Sequence, residues 1–174
     1  NKRLRSLLNS PDPNSTTVRK MRAKKKVLIT GASGFVGTIL RSHWGDRHKL
    51  RLADVRPIEE LAPHEEFVET DIADYKQMLS ACADMDVVVH LAADPNMVAE
   101  FYKTLLPLNI MGAYNAFEAA RAAGCQRLVF ASSVNAILGH AGDDVPWDAP
   151  VFPQNIYGAT KCWGEAVARV YSDQ

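Results

Sequence analysis

The chain has 174 residues, 47% of them hydrophobic and 23% charged, with 20 basic against 20 acidic side chains. That supports one globular domain with a real core and leaves too little for two. A net charge of +0 gives no basic field to attract nucleic acid or an anionic membrane, and no stretch approaches the ~18 consecutive apolar residues of a membrane span.

Charge is nevertheless uneven along the chain. Residues 1–26 hold nine Lys or Arg against Asp12 alone, leaving 11 basic and 19 acidic residues for the remainder. Pro11, Pro13 and a Ser/Thr/Asn cluster make residues 1–20 read as a flexible basic leader ahead of a domain that starts at Met21 and runs to residue 174. An Arg-rich, acid-poor organelle-targeting segment is the alternative. Cys82, Cys125 and Cys162 are odd in number, far apart and without C-x-x-C spacing. This argues against a disulfide framework and a metal site, and for a reducing, cytoplasmic compartment.

Short apolar runs of strand length follow at Lys26 to Thr30, Leu50 to Asp54, Glu66 to Thr70, Val87 to Leu91 and Arg127 to Ser132. Helical periodicity separates them. Phe35, Val36, Ile39, Leu40 and Trp44 share one face of the first helix, and Ile110, Ala113, Tyr114 and Phe117 one face of another. Asp94 to Leu106 reads as a helix broken at Pro107, with the proline in the first turn of its successor and Gly124 as C-terminal cap. Alternating strands and helices imply an α/β fold, a doubly wound parallel sheet of Rossmann type with strand order 3-2-1-4-5, covered on both faces. Ligands of such sheets sit at the strands' carboxyl ends.

At the first of those ends stands "VLITGASGFVG", with Gly31, Gly34 and Gly37 three apart. A dinucleotide-binding turn needs a tight corner, backbone approach to a pyrophosphate, and close packing of helix on sheet, and the three glycines supply these in order. The helix N-terminus then meets phosphate with free N–H groups. Asp54 closes the second strand 23 residues after Gly31, where a carboxylate can hold the adenosine ribose diol and repel a 2'-phosphate. NAD is therefore expected over NADP, although Arg56 keeps NADP open.

Near the end, "NIYGATK" places Tyr157 and Lys161 one turn apart on one helix face. A phenol is a poor base near neutrality unless a cation stabilises its anion. An ammonium ~5 Å away at an effective dielectric of ~20 contributes roughly 3 kcal/mol.

"TGASGFVG" together with "YGATK" resembles the extended short-chain dehydrogenase/reductase superfamily of NAD-dependent sugar epimerases, dehydratases and dehydrogenases, over residues 26 to 174. The resemblance implies cofactor contacts by Ser33, Phe35 and Val36 beside the glycines, by Asp71 and Ile72 at the adenine, and by Leu91, Ala92 and Ala93 near the nicotinamide ribose, while His90 itself reads as a core histidine. It also implies that Ser133, 24 residues before Tyr157, binds the reacting substrate oxygen with Ser132 as neighbour or substitute. Tyr157 would then move the proton with Lys161, and Asn109 would support the relay. Val134 and Asn135 stand where sugar-nucleotide dehydratases carry an acidic pair, which disfavours elimination. "SSVNAILGH" and "YGATKCWGE" look closer to uronate dehydrogenases than to epimerases. The implied activity is hydride transfer between nicotinamide and a sugar or sugar acid, with nucleotide-sugar 4-epimerisation as the alternative within the family and a non-catalytic dinucleotide-binding protein or inactive fragment outside it. The family's smaller substrate-binding region would follow Gln174. Helix faces around Tyr114, Phe117 and Trp163 are candidates for a homodimer contact.

Overall fold

A computed structural model describes residues 23–142 and 144–172. The basic leader assigned to residues 1–20 lies outside them. The strands are β1 (Lys26–Thr30), β2 (Lys49–Asp54), β3 (Glu65–Glu69), β4 (Val87–His90) and β5 (Arg127–Phe130), all parallel, in the order β3-β2-β1-β4-β5. The helices are α1 (Phe35–Trp44), α2 (Tyr75–Cys82), α3 (Gly112–Ala122) and α4 (Ile156–Ser172). The five expected strands are present in the expected order, each within two residues of its sequence-based bounds.

Alternation along the strands sorts the core into two layers. Val27, Ile29, Leu50, Leu52 and Val89 point to the face that carries Leu40 and Trp44 of α1. Leu28, Ala53 and Val88 point to the opposite face, under Met78 and Ala81 of α2 and Ala116, Ala119 and Ala120 of α3. The alanines keep α3 close to the sheet. Coverage on both faces stops at β5: Val129, on the α1 side, is 47% exposed, because α1 lies over the β1–β2 half and no other described helix joins that layer. No described helix is long and apolar enough to cross a membrane.

Two helical expectations need correction. In α1 the inward stripe is Gly37, buried, with Leu40 and Trp44 half-buried, whereas Phe35, Val36 and Ile39 are exposed. Gly37 packs the start of the helix onto the Gly31 and Ala32 backbone, which leaves the bulky residues beside it at the surface. The segment after β4 is not helical from Asp94. A π-helical segment begins at Phe101, runs to Met111 and passes directly into α3. Pro107 lies inside this helix rather than in its first turn. Proline offers no N–H and collides with the carbonyl four residues back in an α-helix. The widened turn accommodates it, and the Gly112 N–H reaches five residues back to the Pro107 carbonyl. At the other end of α3, Gly124 adopts φ +73° as expected. The Gly124 and Cys125 N–H groups close a Schellman motif on the Arg121 and Ala120 carbonyls.

Asn115 was not singled out in the sequence. Buried on α3, it donates through Nδ2 to the carbonyls of Ile72 (2.9 Å) and Ala73 (3.0 Å). It thereby ties the loop after β3 to the helix behind it. Asn115→Leu strands both carbonyls, so urea unfolding is expected to show a loss of about 1–3 kcal/mol.

Candidate functional site

The carboxyl ends of the strands open into a groove of about 510 Å³. It begins at the glycine turn. Gly31 has φ +69°, and a Cβ there would lie 2.7 Å from the Ala92 amide nitrogen. A Cβ on Gly37 would lie 2.6 Å from the Gly31 carbonyl oxygen. Both positions therefore require glycine for close approach, the first to the segment after β4 and the second within the turn. Gly34 precedes α1 in extended conformation with no side-chain cap, and the first turn of α1 holds no acidic residue. Its N–H dipoles are left for an anion, and Gly34, Phe35, Val36 and Gly37 line the groove there.

Asp54 ends β2 at the side of this turn. One carboxylate oxygen accepts the Ser33 N–H at 3.0 Å and the other the Arg56 N–H at 3.0 Å, with Arg56 Nε 3.8 Å away. Burial pushes its pKa upward, but the hydrogen bonds from Ser33 and Arg56 and the guanidinium charge outweigh burial and hold it below the usual carboxylate range. Asp54 thus braces the turn while it lines the groove. Ser33 does not line it: its N–H is spent on Asp54, and its Oγ is buried beside the same carboxylate. Asp71, Ile72, Leu91, Ala92 and Ala93 all line the groove as expected, and Asp71 keeps its loop in shape by accepting the Ala73 N–H at 2.9 Å. Glycine cradle, bare helix end and ribose-side carboxylate together match a dinucleotide.

Tyr157 and Lys161 stand at the far end of the same groove. Both are buried in the first turns of α4, and Gly158 lets this helix sit on the turn after β5: a Cβ there would lie 2.3 Å from the Asn135 carbonyl oxygen. Lys161 Nζ donates to the Ala131 carbonyl at 2.9 Å and lies 5.8 Å from the Tyr157 ring centroid. Burial pushes the Lys161 pKa down to about 8. His90, under the groove floor, accepts or donates at Nδ1 with Thr30 Oγ1 at 2.8 Å. Burial, reinforced by the Lys161 charge, pushes its pKa down to about 3, so it is neutral, as a core histidine should be.

The two serines divide differently from expectation. Ser132 lines the groove and its Oγ donates to Glu165. Ser133 is not among the groove-lining residues. Its Oγ accepts from the Asn135 N–H (3.2 Å) and Nδ2 (3.3 Å) at the start of a short 3-10 turn. Both bonds bring donors to the oxygen, so the Ser133 proton points elsewhere. Asn109 is buried and away from the groove surface. Its Oδ1 accepts the Asp94 N–H at 2.8 Å, and its Nδ2 donates to the Asp94 carbonyl at 3.0 Å and to Thr160 Oγ1 at 3.1 Å. Thr160 in turn donates to the Tyr157 carbonyl at 2.7 Å. Asn109 therefore fastens the segment after β4 to the tyrosine helix. Thr160, inside "YGATK", was missed because a threonine on a helix face carries no signal until its partner is known.

Residues 27–174 match the NAD dependent epimerase/dehydratase family along their whole length. The chain belongs to this family. It is 36% identical over 152 residues to the uronate dehydrogenase of Pseudomonas putida, covering 86% of this chain and 56% of that one. To the L-arabinose 1-dehydrogenase (NAD(P)(+)) of Haloferax volcanii it is 32% identical, covering 86% and 62%. The crystal structure of a uronate dehydrogenase mutant from Agrobacterium tumefaciens, complexed with NAD, superposes with a TM-score of 0.79 at 39% identity, covering 87% of this chain and 57% of that one. The chain thus spans somewhat over half the length of these relatives.

A buried ammonium with no carboxylate partner destabilises the fold that holds it. Lys161→Met is therefore expected to raise stability near pH 7 by up to about 3 kcal/mol, from a pKa displaced from 10.5 to about 8. The folded state binds fewer protons than the unfolded one between those values, so wild-type stability should climb with pH across that window and the variant's should not. Thermal melts of both proteins from pH 7 to 11 measure this.

Proposed function

We propose that this chain carries the cofactor half and the proton-transfer residues of an NAD-dependent sugar-acid dehydrogenase, with a uronate as substrate class. The observation that carries the proposal is the single groove running from the uncapped glycine turn and Asp54 to Tyr157 and Lys161. The 35–39% identity to uronate dehydrogenases supports the substrate class. NAD, when bound, supplies the hydride acceptor. The glycine turn and the α1 N-terminus hold its diphosphate, and Asp54 takes the adenosine ribose hydroxyls. The Lys161 ammonium stabilises the phenolate form of Tyr157, and that phenolate takes the proton of the substrate hydroxyl and becomes a neutral phenol as hydride leaves the substrate carbon. Ser133, whose proton is not committed to Asn135, or Ser132, which lines the groove, donates to the reacting oxygen. Asn109 acts through Thr160 on the position of Tyr157.

Three free cysteines support a reducing, cytoplasmic location. Exposed Met111, Tyr114, Trp163 and Val170 on α3, α4 and the helix end before α3 support a homodimer built on these helices. Phe117 takes no part in that surface, because it is buried against Phe130 and Tyr171.

Incubating the protein with NAD and a panel of free uronates, aldoses and UDP-sugars while following absorbance of the reduced cofactor tests the proposal. Net NADH with free uronates is expected. Interconversion of UDP-sugars without net NADH would replace it by the epimerase reading. Tyr157→Phe should lower kcat by at least about 100-fold, the low end of general-base contributions, with NAD affinity by calorimetry nearly unchanged. Asp54→Ala should weaken NAD more than NADP, and an unchanged affinity ratio would remove the basis of the cofactor assignment.

A further inference from the structure

We infer that Phe130, the last residue of β5, is a positioning residue that holds Lys161 in its charged form through the face of its ring. This rests on the assignment of Lys161 to the proton-transfer step proposed above.

A buried ammonium ordinarily demands a carboxylate. Lys161 forms no ion pair with a carboxylate among the described residues; its contacts are the Ala131 carbonyl and two aromatic faces. The nearer face is that of Phe130, with Nζ 5.0 Å from the ring centroid against 5.8 Å for Tyr157. Both lie within the ~6 Å at which a ring quadrupole attracts a cation, and removal from water strengthens the attraction. The titratable groups facing the ammonium are Tyr157 on α4 and His90 on β4, and Glu165 is exposed one turn further along α4. Glu165 is turned to the Ser132 hydroxyl, and His90 is neutral. The burden of stabilising the charge therefore falls on the carbonyl and the rings.

Phe130 is itself locked in place. His90 stacks on it at 6.1 Å and an interplanar angle of 20°, and Phe117 of α3 packs at 5.8 Å. Gly164 leaves α4 bare where the ring meets it, since a Cβ there would lie 2.1 Å from the Phe130 Cζ. Gly164 sits one turn beyond Lys161 on the same helix. The helix thus presents its lysine to the ring face and a glycine to the ring edge, a pairing that ordinary core packing does not require. Because Phe130 is not among the residues that line the groove, its influence on the reaction passes through Lys161.

The test replaces Phe130 with ring-fluorinated phenylalanines of increasing fluorine content, which drain the ring face of electron density at nearly constant shape, and with leucine. The Lys161 ammonium is titrated by NMR of [ε-13C]lysine-labelled protein, its signal assigned with Lys161→Met. The Lys161 pKa is expected to fall stepwise with fluorination, by about one unit at the most electron-poor ring. A pKa indifferent to fluorination overturns the inference whatever the leucine variant does. The titration needs no turnover, so a protein inactive toward every sugar acid still reports on the ring. In active protein the alkaline limb of the kcat profile should move to lower pH by the same amount. A limb that stays fixed while the titration moves would reduce Phe130 to support for a buried charge and overturn its part in the reaction.

Discussion

The close approach of the first βα turn to the backbone after β4 is the contact on which the rest of the site depends. Gly31 rests against Ala92, Gly37 against Gly31, and there is no room for a single methyl group at either contact. With these distances fixed, the N-terminus of α1 has one position over the strand ends, and Asp54 is brought within reach of the Ser33 N–H. At this end the turn is set by backbone meeting backbone, with the Asp54 carboxylate as its brace. Side chains then line a channel whose depth has already been determined.

At the opposite end, side chains dominate and the bonding is less direct. Tyr157 is aimed by a relay that starts at the Asp94 backbone and passes through Asn109 and Thr160. Lys161 is aimed by a carbonyl and by rings. The two ends share β4 and the segment that follows it: Ala92 receives the glycine turn, and two residues later Asp94 receives Asn109. One short stretch of backbone thus receives contacts from both ends of the groove.

Much of this was legible in the residues. Strand runs bounded by turn residues gave the sheet and its order, because a parallel sheet with short connections leaves few topologies open. Glycine spacing, Asp54 and the Tyr157–Lys161 pair located both ends of the groove. What escaped was set by which partner each residue meets once folded. The apolar stripe of α1 was misjudged since Gly37, not Phe35 or Val36, is the residue that packs inward, onto the Gly31 and Ala32 backbone. Ser133 proved to be engaged by Asn135, and Asn115 and Thr160 revealed their roles only once their carbonyl partners, 43 residues away and three residues away respectively, came into view. Polar residues on helices look alike in sequence, and only tertiary contacts separate an anchor from a solvated face.

The proline inside the helix before α3 carries a last implication. Hydrogen bonds closed over five residues instead of four wind the 11 residues from Phe101 to Met111 less tightly than α3, so their side chains drift steadily in phase relative to it. One continuous rod can therefore turn Leu105 and Asn109 inward along a different line from the alanines of α3 while Leu108 reaches the groove.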